Sequence, residues 1–509
     1  MFAPIAMIMI GGCSPEDSGR TTPRSQSGRK AVGSHLHEEL RPQIEAFCGD
    51  CHVTPLAESF PKSDWYEEVK RGFEFYFDSG RQDLKPPTQN VVVEYYQSRA
   101  PEELVVPQAI NTPSPIRFRQ QPFVVDKANR PETTPAVSFV NWTEQDDGTL
   151  WLSDMRSGRI SASTINGDEL WADSDIASNP VSVRECDLNN NGIADIVIAD
   201  LGSFLPEDHD KGRVIWVADY RTEFARTKNL LDQVGRIADV RMADFDGDGD
   251  TDLIAAEFGW HKTGGIHFLR NTATEDSEPK FKSQRLDSRS GTIQTPTVDL
   301  NGDGHMDFIA VISQEHEQIV AFINDTQGGF KKEKIHAASD PSWGSSGIQL
   351  IDFDGDNDVD ILYTNGDTFD SKLAKPFHGI TWLENRPEGF EPRRIADMPG
   401  VHRALASDID SDGDLDIVAV SMLPSRTFKT LNSSIGTVVW LEQTASNTFE
   451  RHVLEIDRPH HTSVAVADFN ADGKKEILVG NFIETGTAPE ATLFSAVASG
   501  SPSEDRSKD

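Results

Sequence analysis

At 509 residues the chain is long enough for one large domain and a small one. Its 83 acidic against 48 basic side chains leave a formal charge of -35, which argues against nucleic acid as a partner and against electrostatic attachment to a membrane surface. Much of that charge is local, because 23 of the acidic residues stand in six short loops, so the acidity reads largely as a metal-binding signature.

Residues 2–10 are apolar, and Ile10-Gly11-Gly12-Cys13 resembles a bacterial lipobox. The resemblance makes 1–13 a signal whose Cys13 is lipidated after cleavage, and implies an exported protein, periplasmic or on the cell surface. The apolar run is short and lacks a preceding Lys or Arg, a departure from an ordinary signal peptide. No later stretch reaches the ~20 apolar residues of a membrane span, so the membrane is met only through the lipid. Residues 14–34, rich in Ser, Thr, Pro and Gly, read as a flexible tether.

Helical periodicity begins at residue 35 and runs to 107. Leu36, Leu40, Ile44 and Phe47 lead into Cys48-Gly-Asp-Cys51-His52, and Pro42 allows the helix to start either at Leu36 or at the proline. Two more helices are predicted over Ser63 to Phe77 and Thr88 to Ser98. Two thiols at this spacing can add to the vinyl groups of haem while the next His binds the iron. With Trp65, Tyr95-Tyr96 and Ala100-Pro101, the segment resembles the small c-type cytochrome domains that accompany propellers in some exported bacterial proteins. That resemblance implies covalent haem c on Cys48, Cys51 and His52. No Met lies between Met9 and Met155, so the sixth iron position is empty or taken by His35, His37 or Lys85. The rival reading is zinc on Cys48, Cys51 and two of His35, His37 and His52. A thioredoxin-like pair is disfavoured, because no strand-helix-strand pattern surrounds it.

The Pro-rich stretch 101–117 ends in a linker, 108–117, and the remainder to 498 is repetitive. A nine-residue acidic loop starts at Asp187, Asp244, Asp299, Asp352, Asp408 and Asp468, at intervals of 57, 55, 53, 56 and 60 residues. Oxygen side chains at positions 1, 3, 5 and 9, with a turn glycine at 6, suit a hard cation such as calcium. Helix-flanked EF-hands are excluded, because the flanks are short apolar or alternating runs. Position 12, where an EF-hand needs Glu, is Ile198, Ala255, Ala310, Tyr363, Ala419 and Val479.

These loops resemble the FG-GAP/VCBS repeat family, whose units are four-stranded propeller blades with a calcium loop between the first and second strands. The resemblance covers about residues 118 to 492. It implies as calcium ligands Asp187, Asn189, Asn191 and Asp195; Asp244, Asp246, Asp248 and Asp252; Asp299, Asn301, Asp303 and Asp307; Asp352, Asp354, Asp356 and Asp360; Asp408, Asp410, Asp412 and Asp416; and Asp468, Asn470, Asp472 and Glu476. Asn357 replaces one turn glycine, which Asn tolerates in left-handed geometry. The Asp187 loop has two carboxylates and is expected to be the weakest site, or a metal-free Asx-turn.

Ala136 to Ile165 repeats the strand order with Asp146-Asp147-Gly148 as a degenerate loop, which brings the units to seven. Phe118 to Asp126 matches the fourth-strand stretches Phe281 to Asp287 and Phe449 to Asp457, and is expected to complete the last unit and close the ring. Gly379 to Asn385 and Gly436 to Gln443 read as third strands, with Trp382 and Trp440 packing between blades, and Cys186 as a small buried hydrophobe. The expected fold is mainly β: a seven-bladed β-propeller preceded by a small all-α cytochrome c-like domain, with a disordered tail at 499–509.

The calcium loops fall on one face of such a propeller. Longer loops, Gly202 to Lys211, Gly259 to Gly264, Asp367 to His378 and Leu423 to Ser434, fall on the other with Trp343, His402, His460 and His461, and that face is where ligands are expected. No catalytic set stands out. The functional reading is an anchored c-type cytochrome fused to a calcium-binding propeller, combining electron transfer to a redox partner with docking of a surface protein or glycan. Its alternatives are a quinohaemoprotein-like dehydrogenase, with proton abstraction by one of those histidines, and an adhesion propeller with a zinc clip.

Overall fold

The computed structural model describes residues 39–127, 133–144, 148–273, 278–369, 371–431 and 434–497. Cys13, His35, His37, the tether, Asp146-Asp147 and the tail lie outside these residues. Among the described residues no helix is long and apolar enough to cross a membrane.

The short apolar runs separated by acidic loops form seven antiparallel sheets, each meandering outward from its first strand. In chain order the blades are β2–β5 (137–173), β6–β9 (180–234), β10–β13 (237–287), β14–β18 (292–337), β19–β22 (345–397), β23–β26 (401–456) and β27–β29 (461–496). The inner strand of blade 4 is split into β14 (Thr292–Gln294) and β15 (Thr297–Val298). Pro296 lies at the break and has no N–H to give the ladder.

Second strands such as β7 (Asp195–Asp200) and β24 (Asp416–Ser421) are buried along their whole length. Packed on both faces, they read as continuous rather than alternating apolar runs. The cores lie between blades: Trp382 of blade 5 packs with Ile417 and Leu441 of blade 6, and Trp440 of blade 6 with Ile477 and Phe494 of blade 7. A blade is therefore stable only against neighbours, and the ring must close. It closes through β1 (Phe118–Phe123), which takes the outer place in blade 7 by pairing with β29 (Ala491–Ala496), from Phe118 opposite Ala496 to Phe123 opposite Ala491.

Ahead of β1 the described residues include α1 over residues 39–48, α2 (Trp65–Asp78) and α3 (Gln89–Gln97). Pro42 lies in the first described turn of α1. Ile44, Val69, Phe73 and Val92 form a small core with Trp65 and Tyr96, whose rings stack at 4.0 Å.

Candidate metal loops and the docked Cys-x-x-Cys-His segment

All six acidic loops join a first strand to a second, so they share one face. Position 6 is left-handed in every copy, including Asn357 at φ 72°. Position 4 is left-handed as well, which the residue pattern did not suggest, since Asn190, Ser411 and Ala471 occupy it alongside three glycines. This double reversal turns the main-chain N–H groups inward. In the Asp468 loop the position 1 carboxylate accepts from Asp472 N at 2.9 Å and Gly473 N at 2.8 Å.

Position 9 opens the second strand and is buried in each loop. Its two oxygens tie the loop to the hairpin behind it: Asp416 accepts from Ile409 N at 3.1 Å and from Gln443 N at 2.8 Å. The same pair of bonds recurs at Asp195, Asp252, Asp307 and Asp360. Burial, against these hydrogen bonds, pushes Asp252 up to about 7 and Asp416 up to about 6.

Positions 1, 3 and 5 converge. In Asp244-Asp246-Asp248, Asp352-Asp354-Asp356 and Asp408-Asp410-Asp412, one oxygen from each residue lies within 4.8 Å of the others. Buried Asp246 Oδ1 and Asp408 Oδ1 have no hydrogen-bond partner, and neither do Asp358 Oδ1 and Asp414 Oδ1 at position 7. Burial and then the neighbouring position 5 carboxylate raise Asp246, Asp354 and Asp410 above the usual carboxylate range, and the same causes push Asp358 up to about 6. An all-oxygen donor set with crowded charge and orphaned acceptors fits a hard divalent cation. The Asp187 loop is different in its donors: amides, Asn189 and Asn191, stand at positions 3 and 5 where the converging sets have carboxylates, and Asn191 turns its Nδ2 to Asp219 Oδ1 at 2.9 Å.

Cys48 ends α1, Cys51 is exposed, and both are free thiols. Burial pushes Cys48 up to about 11, with the nearby Tyr96 hydroxyl opposing it. That hydroxyl is itself buried and lacks an aligned partner. Gly49 follows the helix where a Cβ would meet Thr54 Oγ1 at 2.5 Å and Glu45 O at 2.8 Å. Asp50 pairs with Arg81 at 2.6 Å. His52 Nδ1 lies 2.8 Å from Val53 O, which places the proton on Nδ1 and leaves Nε2 as the lone-pair nitrogen. Two unbonded thiols and an imidazole held in its metal-binding tautomer fit haem c at this segment.

The helical unit rests on the face opposite the acidic loops. Asp340, in the connection from blade 4 to blade 5, is fully buried and accepts from Leu56 N and Ser59 Oγ, each at 2.7 Å. Lys375 donates to Ser342 O at 3.0 Å and sits 4.1 Å from the Phe60 ring centre. Burial brings it down to about 8, against Asp340 and Glu68. His261 packs on Phe75 at 4.7 Å. Two of the four loops expected to receive ligands, Gly259 to Gly264 and Asp367 to His378, are thus engaged by this chain's own helices. His316, from blade 4, comes within electrostatic reach of His52, and burial foremost holds it below the usual imidazole range. No local signal could have paired residues so far apart in sequence. His461 is buried and bonded to Glu455 Oε2 at 2.7 Å, and His402 Nδ1 is 2.9 Å from Thr462 O.

On the acidic face a cleft of about 900 Å³ opens at the closing seam. Phe123 and Asp126 line it from the closing segment, Asp168 and Glu169 from blade 1, and Asn470 and Glu476 from the last loop.

The FG-GAP-like repeat family matches this sequence over residues 187–255, 299–363 and 408–479, each match spanning two of the six loops. The chain therefore carries FG-GAP-like repeats, built as a seven-bladed β-propeller. Among curated proteins no relative matches. Among solved structures it is similar to BBS1N, crystallised in complex with ARL6DN and soaked with mercury, at 10% identity over 75% of this chain and 97% of that one, with a TM-score of 0.45. It is also similar to the Dos1 propeller, at 9% identity over 71% of this chain and 78% of that one, with a TM-score of 0.42.

Proposed function

We propose that this protein is an exported, lipid-anchored binding propeller stabilised by calcium, whose helical unit carries covalent haem c for electron exchange with a redox partner. The observation that carries the calcium reading is the convergence of three carboxylates in each of three loops, with buried oxygens left unpaired. A divalent ion supplies the missing positive charge and ties positions 1, 3 and 5 into one unit with the hairpin that position 9 already holds. Its role is structural, since these loops rim the face that carries the seam cleft. With the opposite face partly covered by the helices, the cleft beside Asn470 and Glu476 is the better place for a surface protein or glycan to dock.

Haem rests on a separate observation, the free Cys48 and Cys51 beside His52 with its Nε2 available. When bound, haem supplies iron that takes up and releases one electron. Cys48 and Cys51 would hold it through two thioethers and His52 through its imidazole.

Calcium titration of chelator-treated protein is the first test. Each site held at 100 times its Kd contributes about 2.7 kcal/mol, so the melting temperature rises steeply with calcium, and D410A removes part of the rise. An unchanged melting temperature overturns the calcium reading. For haem, protein made with a c-type maturation system is expected to show a sharp reduced absorption band that survives acid-acetone extraction. A featureless spectrum with bound zinc replaces electron transfer by a zinc clip.

A further inference from the structure

The innermost strands of four blades place an unbalanced charge cluster on the propeller axis. Asp239, on β10 (Ile237–Ala243) of blade 3, is 4% exposed at its side chain and pairs with Arg241 Nε at 2.8 Å and with Arg184 Nη2 of blade 2 at 3.6 Å. Its other contacts are neutral donors, Ser182 Oγ at 3.1 Å and Thr295 N of blade 4 at 3.1 Å. Arg403, on β23 (Val401–Ser407) of blade 6, interacts with both Asp239 and Arg241. Blades 3 and 6 are not neighbours, so these charges meet only across the axis.

Three guanidinium groups thus share one carboxylate, inside an otherwise acidic protein. Among the described residues Arg403 Nη1 and Arg184 Nε are buried and have no hydrogen-bond acceptor. Gly347 makes room for Arg403, since a Cβ there would lie 2.3 Å from Nη1. The nearby Gln294 Oε1 already accepts from Ile348 N at 2.8 Å. Arg184 and Arg241 keep 19% and 22% of their side chains exposed, so the cluster is not sealed from solvent. Phe204, Phe369 and Phe482, from blades 2, 5 and 7, form a chain of ring contacts at 6.1 Å, and Phe369 lies 6.3 Å from His402 beside Arg403. Burial of the unpaired Arg403 Nη1 and Arg184 Nε makes a cation without a partner costly and strengthens attraction for an anion.

We propose that this axial cluster is an anion site, in which Arg184, Arg241 and Arg403 hold a small oxyanion, a carboxylate or a tetrahedral inorganic anion. Guanidinium forks match both geometries. The site depends on neither the calcium loops nor haem.

The test is calorimetric titration of the full-length, calcium-loaded protein with sodium sulfate and with sodium acetate at constant ionic strength, repeated on R403M and D239N. Saturable binding of one anion per chain is expected, at least tenfold weaker in R403M and tighter in D239N, which removes the competing carboxylate. Saturation by sulfate alone marks a tetrahedral ligand, and by acetate a carboxylate. Absence of saturable binding overturns the proposal, as does equal affinity in wild type and R403M. Should R403M fail to fold, unchanged affinity in D239N is decisive against it. General salting effects of sulfate act on all three proteins alike and do not mimic this pattern.

Discussion

Ala471 stands at φ 57° in the last acidic loop, a conformation that places its Cβ against the following carbonyl. Three of the other loops have glycine at the same position, and nothing in the alanine side chain offsets the strain. Replacing it, A471G, is expected to stabilise the protein by about 1 kcal/mol, read as a shift of the urea midpoint at constant m-value. Asn357 needs no such relief, because Asn reaches left-handed geometry at low cost. The turn at position 6 was legible from Gly and Asn; the one at position 4 was hidden by Ala, Ser and Asn, which give no consistent signal.

Within the loops, protons and metal compete for the same carboxylates. Burial chiefly pushes Asp252 up to about 7 and Asp358 and Asp416 up to about 6. A carboxylate raised above its unfolded value contributes stability that is present at low pH and lost as pH rises through the folded value. The gain in melting temperature from calcium is therefore expected to grow between pH 5 and 7, and paired scans with calcium or chelator measure it. Histidines that titrate in this range are common to both samples and cancel.

The helical unit is a second element whose stability hangs on few groups. D340A removes the acceptor for Leu56 N and Ser59 Oγ and takes away the carboxylate that most opposes the burial of Lys375. A loss of about 3 kcal/mol is expected, with earlier proteolysis near the 108–117 linker. If D340A is cleaved no earlier than the wild type, Asp340 does not hold the unit.

At the scale of the whole ring, closure rests on a strand that comes before all the blades. Phe123 is 5% exposed and packs with Leu150 and Leu478 across the seam between blades 1 and 7. F123A is expected to cost about 4 kcal/mol in unfolding free energy, whereas F224A, at a side chain 70% exposed, should stay within about 0.5 kcal/mol. Equal effects would mean that the seam contributes nothing special to ring stability.

What the sequence by itself determined is the repeat: the interval between acidic loops, the hairpin strands beside them, the seven units and the matching segment that completes the last one. These are local patterns, written in the alternation, burial and turn chemistry of each blade and copied along the chain. Only the tertiary structure decided how distant parts meet. It set the helical unit on the face opposite the acidic loops, brought His316 toward His52, and gathered Arg184, Asp239 and Arg403 from three blades onto one axis. Each of these depends on the ring having closed, and no single repeat contains the geometry of its closure.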